Sequence, residues 1–166
     1  MNFLDKYTGA KRERKLKNLQ KLVNKASGIA YISEFTKKIA KQYLKLPDVV
    51  QKVIYNGVSV SDVKPRKPEF VDHNDAFIFS IGIIGEKKNF HVLVEAMKEL
   101  PSLKLFLCGN SSSKYADKIK ALVTKHKLGK RVVITGEVSE AEKNWMFANC
   151  KAFVFPSLSE GFGLPV

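Results

Sequence analysis

Four short apolar runs in the second half of the chain alternate with longer segments whose apolar positions recur at helical spacing. The apolar runs, which are typical of buried strands, cover residues 76–81, 103–107, 131–135 and 152–155. The intervening segments, which are typical of amphipathic helices, cover residues 90–100, 115–126 and 139–148. Because strands that alternate with helices form βαβ units, the pattern predicts an α/β fold with a parallel sheet flanked by helices.

The first part of the chain shows a shorter version of the same alternation. The elements predicted there are a basic amphipathic helix at 5–26, a strand at 28–32, a helix at 34–44 with Ser33 as its cap, and a strand at 49–55. Residues 58–74 are polar and contain Pro65 and Pro68, which is typical of a linker. We therefore predict an end of one domain at 1–57, a linker at 58–74 and a second domain at 75–166.

Ligands of open parallel sheets bind at the carboxyl ends of the strands, and this rule selects four loops of the predicted sheet. These loops cover residues 82–89, 108–113, 136–139 and 156–163. The first loop contains Gly82, where backbone can approach a ligand closely, and two cations, Lys87 and Lys88. A lysine at this edge can act as a point charge on a diphosphate leaving group. The alternative is that both lysines are solvated at a helix start.

The fourth loop continues into Glu160-Gly-Phe-Gly-Leu-Pro165, which is predicted to enter a helix. Two glycines allow close approach of the backbone, and the free N–H groups of a first helical turn favour phosphate. The alternative is a strand–loop–helix junction in which the glycines only form a tight turn.

Residues 155–166 resemble the donor-site motif of retaining nucleotide-sugar glycosyltransferases of the glycosyl transferases group 1 family, which have the GT-B fold. In that family a first Glu is followed by seven residues and a second Glu. Glu160 matches the first, and the second would lie beyond Val166. The resemblance implies that Glu160 is the catalytic-site residue that accepts a hydrogen bond from a donor-sugar hydroxyl and orients the anomeric carbon.

Further segments match the family in its order and spacing, and they imply a Rossmann-like donor-binding domain, the incomplete C-terminal half of a GT-B enzyme. Gly82 matches the family glycine and Lys88 its diphosphate-binding lysine, although Ile83 stands where Arg is common. The donor-binding residues implied are Gly82, Lys87, Lys88, Gly109, Asn110, Gly136, Glu137, Gly161, Phe162, Gly163 and Leu164.

The resemblance implies a hexosyltransferase-type enzyme of polysaccharide biosynthesis that transfers a sugar from a nucleotide-sugar to a glycan or lipid-linked acceptor with retention. A complete GT-B enzyme would be about twice as long as this 166-residue chain, so we expect the chain alone to be inactive. Two alternatives stay open: a nucleotide-sugar epimerase of the same fold, and a nucleotide-binding module without turnover.

The net charge of +13 is concentrated at the beginning of the chain. Residues 1–45 contain ten Lys and two Arg against three acidic residues, a net charge of +9. The basic face of the first predicted helix could pack on another part of the protein or lie on an anionic membrane surface. Nucleic acid ranks last, because aromatic residues are not interleaved with the cations.

The remaining composition limits cofactors and compartment. Cys108 and Cys150 lie in or beside apolar runs, which favours core residues in a reducing compartment. No metal-ligand spacing occurs, so we expect neither a metal nor a cofactor besides the donor substrate. With no apolar span and no signal-peptide pattern, we expect a cytoplasmic protein, with a peripheral position at the inner face of the membrane as the alternative. We also expect self-association through the sheet, where Phe153, Val154 and Leu164 would be partly uncovered.

Overall fold

The computed structural model describes residues 8–58 and 62–163, which form two compact units. The first unit comprises residues 8–58 together with 159–163, and the second comprises residues 62–158. The sequence pattern predicts residues 159–163 as part of the second domain, whereas these residues cluster with the first unit.

The first unit is built on a two-stranded parallel sheet. Its elements are helix α1 (Gly9–Val23), strand β1 (Gly28–Tyr31), helix α2 (Glu34–Tyr43) and strand β2 (Val50–Val53). The predicted cap of α2 is confirmed, because the Ser33 hydroxyl accepts a hydrogen bond from the Thr36 N–H at 3.0 Å. Residues 5–7 of the first predicted helix lie outside the described residues.

The second unit contains a four-stranded parallel sheet in the order β5-β4-β3-β6. Its elements are β3 (Phe77–Ile81), a 3-10 turn at Glu86–Lys88, α3 (His91–Ala96), β4 (Lys104–Cys108), α4 (Lys114–Lys125), β5 (Val132–Gly136), α5 (Glu140–Asn149) and β6 (Ala152–Phe153). The α/β fold with a parallel sheet flanked by helices is therefore confirmed.

Alternate residues of the central strands enter two different cores, one on each face of the sheet. On one face Ile78, Leu105 and Leu107 pack with apolar residues of α3 and α4. On the other face Phe77 and Phe79, together with others, pack with residues of α5 and with Val71. Because both faces are covered, the central strands are apolar except for the buried Ser80 in β3 and Lys104 at the start of β4, and this is why they could be recognised as runs.

Several elements are shorter than predicted, among them β2, which covers Val50–Val53 instead of 49–55, and two elements of the second unit. Helix α3 ends at Ala96 instead of residue 100, because the Arg131 guanidinium takes up the carbonyl oxygens of Met97 and Leu100 at 2.8 and 2.7 Å. Strand β6 pairs over two residues only, and the chain leaves β3 after the Val154 N–H donates to Phe79 at 2.9 Å.

The segment predicted as a linker packs against the second unit over its described part. Val71 is buried, and the Arg66 N–H donates to the Ala141 carbonyl oxygen at 3.0 Å. The Lys104 ammonium at the start of β4 contacts the Asp72 and Asp75 carboxylates at 3.0 and 2.8 Å. Residues 62–75 are thus held on the sheet and on α5.

Candidate functional site

The loops that leave the parallel strands of the second unit meet at one edge of the sheet. Gly82, Gly109 and Gly136 follow or end β3, β4 and β5, and hydrogen bonds join them in a row. The Gly82 N–H donates to the Cys108 carbonyl oxygen at 2.9 Å, and the Gly109 N–H donates to the Gly136 carbonyl oxygen at 2.6 Å. Three predicted donor-binding glycines are therefore neighbours at the carboxyl edge, where such sheets bind ligands.

Position 109 accepts glycine alone, because its backbone has a φ of +127° and lies directly against Gly82. A Cβ at position 109 would lie 2.2 Å from the Gly82 carbonyl oxygen, far inside the contact distance of two atoms. The glycines therefore have a structural role: they allow two loops to pack backbone against backbone.

Lys88 is the cation that this edge holds most closely. It lies at the end of the 3-10 turn, and its side chain extends over Gly82, where a Cβ would come within 2.9 Å of Lys88 Cε. The Lys88 ammonium lies 4.2 Å from the centroid of the Phe155 ring, which is a cation–π contact. Lys88 is half-buried, whereas Lys87 on the same turn is exposed.

Two hydrogen bonds fix the turn that carries Lys88. The Asn89 side-chain amide donates to the Pro156 carbonyl oxygen at 3.2 Å, and the Leu158 N–H donates to the Lys87 carbonyl oxygen at 2.9 Å. Asn89 adopts a left-handed conformation with a φ of 58°, which Asn tolerates better than most residues. The segment after β6 thus holds the Lys88 turn at two points.

Asn110, another predicted donor-binding residue, organises the loop after β4. Its side-chain oxygen accepts hydrogen bonds from the Ser112 N–H at 3.0 Å and from the Ser112 hydroxyl at 2.6 Å. Its backbone carbonyl oxygen accepts from the Ile84 N–H at 2.9 Å, which joins this loop to the one after β3. Glu137 follows β5 and is exposed at the same edge.

The amino ends of α3 and α4 contribute one polar pair. The Tyr115 hydroxyl accepts a hydrogen bond from the His91 N–H at 3.1 Å and lies 2.9 Å from His91 Nδ1. Burial raises the pKa of Tyr115 above its ordinary value, so this hydroxyl is protonated at neutral pH.

Cys108, at the end of β4, is no nucleophile, because burial raises the pKa of its thiol to about 11.

The predicted site residues 160–163 belong to the first unit. The Gly161 carbonyl oxygen accepts hydrogen bonds from the hydroxyls of Ser33 at 2.6 Å and Thr36 at 3.2 Å. A Cβ at Gly161 would lie 3.0 Å from Ile32 Cδ1, so little room exists for a side chain. The amino end of α2 therefore holds the backbone of this motif.

Phe162 packs in the same unit, with its ring centroid 6.0 Å from that of Tyr55. Glu160 and Gly163 are half-buried. Gly161 and Phe162 form a bend, and residues 160–163 contain no helical turn. Leu164, with the rest of the predicted helix entry, lies outside the described residues.

Neither a metal centre nor a membrane span occurs within the described ranges. Residues 8–58 and 62–163 contain no group of three or more His, Cys, Asp or Glu side chains that could hold a metal ion. No helix of the same residues is long and apolar enough to cross a membrane.

A parallel sheet with helices on both faces, and glycines at its carboxyl edge, defines a Rossmann-like α/β protein. The chain belongs to the glycosyl transferases group 1 family, whose model matches residues 63–166.

Curated relatives match about two thirds of the chain. One is the N-acetylgalactosamine-N,N'-diacetylbacillosaminyl-diphospho-undecaprenol 4-alpha-N-acetylgalactosaminyltransferase of Campylobacter jejuni, 30% identical over 111 residues, which cover 66% of this chain and 29% of the relative. Another is the O-antigen chain mannosyltransferase RfbU of Salmonella typhimurium, 29% identical over 115 residues, which cover 68% of this chain and 31% of the relative. The chain thus spans about a third or less of the length of these two relatives.

Solved structures show the same fold at low sequence identity. The sucrose-phosphate synthase of Thermosynechococcus elongatus superposes with a TM-score of 0.80 at 18% identity, over 96% of this chain and 43% of that one. Anabaena HepE in complex with UDP-glucose superposes with a TM-score of 0.75 at 19% identity, over 90% of this chain and 43% of that one.

Proposed function

We propose that the carboxyl edge of the four-stranded sheet binds the diphosphate of a nucleotide-sugar, as the donor-binding part of a sugar transferase. The single observation that carries this proposal is the position of Lys88, whose side chain extends over Gly82 at the end of β3. The family membership of residues 63–166 and the complex of HepE with UDP-glucose support the same class of ligand.

The chemistry that this cation serves is the departure of a nucleoside diphosphate. In the transfer that we propose, the bond between the anomeric carbon and the terminal phosphate oxygen breaks, and its electron pair leaves with the nucleoside diphosphate. The acceptor hydroxyl oxygen bonds to the anomeric carbon on the same face of the sugar, and its proton passes to a phosphate oxygen of the donor. Lys88 stabilises the charge that develops on the leaving group.

Glu160 is included in the proposed site because it matches the first Glu of the family's donor-site motif. We assign it to a hydroxyl of the donor sugar, where a carboxylate accepts a hydrogen bond and orients the anomeric carbon. Retention of anomeric configuration is part of the same proposal. A two-carboxylate glycosidase mechanism is not proposed, because leaving-group stabilisation and positioning suffice for this reaction.

The acceptor that we propose is a glycan or lipid-linked saccharide. Support comes from the names of the two curated relatives, one of which includes diphospho-undecaprenol and the other an O-antigen chain. Because both names are those of transferases, they favour polysaccharide biosynthesis over the epimerase and the module without turnover. A peripheral position at the inner face of the membrane is a further part of the proposal.

Helix α1 would contribute a peripheral membrane contact. Gln20 and Arg12 face α2 and the segment that follows it, since Gln20 bonds to the backbone of Lys45 and the Arg12 guanidinium lies over the Tyr43 ring. The opposite side exposes Arg14, Lys17 and Lys21 at spacings of three and four residues, and the neighbouring Leu22 is 68% exposed. Exposed cations beside an exposed leucine suit an anionic lipid surface.

We also propose that the chain associates with itself through β6. β6 is an edge strand of the four-stranded sheet, and Phe147 packs beside it while staying 39% exposed. Edge strands with apolar neighbours commonly associate. Sedimentation velocity at increasing concentration should show dimers, and a monomer throughout would refute this part.

Calorimetry of the chain with uridine diphosphate and guanosine diphosphate tests the donor site. Lys88→Ala should raise the Kd about 10- to 100-fold, the range expected for loss of one charge-assisted hydrogen bond. Lys130→Ala is the matched control: it removes the same charge from an exposed residue that precedes β5, at the opposite edge of the sheet. Equal Kd values for the two variants, or no binding of either nucleotide, would contradict the proposal.

A further inference from the structure

Phe155 lies directly after β6 and has one face occupied by the Lys88 ammonium. The distance from the ammonium nitrogen to the ring centroid is 4.2 Å, well within the range of a cation–π interaction. The ring also contacts Phe153, whose centroid lies 5.8 Å away in a nearly parallel orientation. Phe147, Phe153 and Phe155 thus form an aromatic row, and Phe155 is the ring of this row that contacts the Lys88 ammonium.

The Lys88 side chain lies over Gly82, and its ammonium lies over the Phe155 ring. Its Cε would come within 2.9 Å of a side chain at Gly82, so the lysine stem occupies the space above that glycine. The turn that carries it is joined to the segment after Phe155 through Asn89 and Leu158. Backbone contacts fix the base of the side chain, and its charged end lies against the Phe155 ring.

We propose that Phe155 is a positioning residue that holds the Lys88 ammonium over the carboxyl end of β3, where it meets the diphosphate of the donor. The inference rests on the proposed function, since it concerns the same diphosphate. Phe155 acts through Lys88 and does not itself touch phosphate. A long, flexible lysine loses rotamer freedom when it binds an anion, and prior confinement by the ring reduces that loss.

Substitutions of Phe155 can distinguish a cation–π contact with Lys88 from simple apolar packing. Phe155→Leu removes the aromatic face and keeps an apolar side chain, whereas Phe155→Tyr keeps the face. Phe147→Leu is the matched control, because Phe147 belongs to the same aromatic row and contacts Phe79 and Phe153 at ring-centroid distances of 4.9 Å.

The expected change is in the Kd of the nucleoside diphosphate. Phe155→Leu should raise it about fivefold, the change that corresponds to loss of one cation–π contact, and Phe155→Tyr should restore the original value. The Kd of the corresponding nucleoside, which carries no phosphate, should stay the same. In a Lys88→Met background, Phe155→Leu should have no further effect, because the residue would have no ammonium left to position.

The proton NMR chemical shift of Lys88 reports the position of its side chain in the absence of any ligand. The Hε protons of Lys88 should be shifted upfield by the aromatic ring in the unmodified chain, and the shift should vanish in Phe155→Leu and persist in Phe155→Tyr. This separates positioning from a general loss of stability, which thermal unfolding of each variant measures.

Two results would overturn the inference by itself. One is an unshifted Lys88 Hε resonance in the unmodified chain. The other is nucleotide binding that Phe155→Leu leaves unchanged, or weakens equally in the presence and absence of Lys88. Absence of nucleotide binding by the unmodified chain, in contrast, overturns the proposed function and the inference together.

Discussion

Gly109 and Gly82 touch through their backbones at the carboxyl edge of the sheet, so that a Cβ on Gly109 would lie 2.2 Å from the Gly82 carbonyl oxygen. Two loops that leave neighbouring strands are thereby packed at the closest distance that polypeptide allows. The contact explains why position 109 carries glycine, whereas Gly82 has a φ of +145° and a Cβ there would meet Lys88 Cε at 2.9 Å. The Gly109 N–H also donates to the Gly136 carbonyl oxygen at 2.6 Å.

Gly109→Ala should therefore destabilise the second unit. The substitution forces a side chain into occupied space and into a backbone conformation with a φ of +127°, and together these cost about 3 kcal/mol. Urea unfolding of the chain measures the change. Gly129→Ala is the control, because a Cβ at Gly129 meets nothing within 4 Å, and its effect should stay within about 0.5 kcal/mol. Similar midpoints for both variants would contradict the prediction.

The sheet could be predicted from the sequence because its signal is local. Leu105 to Cys108 are apolar on both faces, and Phe77 to Ile81 are apolar apart from Ser80, so both runs are visible without any knowledge of their partners. The end of α3 could not be predicted in this way. The guanidinium that binds the carbonyl oxygens of Met97 and Leu100, just after the helix, belongs to Arg131, 34 residues from Met97 along the chain.

Some residues of the candidate site could likewise be predicted from the sequence, and others could not. Gly82, Lys88 and Gly109 follow strand ends, so the rule for parallel sheets selected them, and the structure brings them together. Phe155 and Asn89 were missed, since each acts through a residue about 67 positions away. The roles of Glu160 and of the glycines around it stay predictions, and their surroundings in the first unit had no local signal in the sequence.

The capping box of α5 should make stability depend on pH. The Glu142 carboxylate accepts hydrogen bonds from the Ser139 hydroxyl at 2.6 Å and the Ser139 N–H at 2.9 Å. These bonds, followed by the attraction of Arg66, lower the pKa of Glu142 below its ordinary value of 4.5. A carboxyl group with a lowered pKa in the folded state stabilises the fold above its unfolded pKa, and the contribution disappears as the pH falls through the folded pKa.

Glu142→Gln keeps an oxygen that can accept from Ser139 but removes the charge, so it should lower the free energy of unfolding at pH 7 by about 0.5 kcal/mol, through weaker hydrogen bonds and lost attraction to the helix dipole. The difference from the unmodified chain should shrink as the pH falls below 4.5. Glu140→Gln serves as the control, because Glu140 lies in the same first turn but pairs with Lys143 instead of the cap. Urea unfolding between pH 3 and pH 7 measures both, and a difference for Glu142→Gln that does not vary with pH would refute the argument.

The two thiols should react at very different rates. Cys108 is fully buried and its pKa is raised to about 11, so at pH 8 it presents almost no thiolate and no access. Cys150 is half-buried, and burial raises its pKa as well. Alkylation with iodoacetamide, followed by mass spectrometry, should therefore modify Cys150 first and Cys108 only after urea is added. Equal rates without urea would show that the end of β4 opens to solvent.

Helix α1 should bind anionic lipid in a salt-dependent manner. Arg14, Lys17 and Lys21 are exposed on one side of the helix, and each cation near an anionic bilayer contributes about 1 kcal/mol. Replacing all three with Gln should therefore weaken co-sedimentation with vesicles of anionic lipid about 100-fold at low salt, while neutral vesicles bind neither protein. The matched control replaces Lys118, Lys120 and Lys125 of α4, which removes the same charge from another exposed helix. Raising the salt concentration should release the unmodified chain, because screening shortens the range of the attraction. Equal loss in both triple variants would mean that total charge, and not this helix, causes binding, and no binding to either kind of vesicle would remove the membrane from the partners of α1.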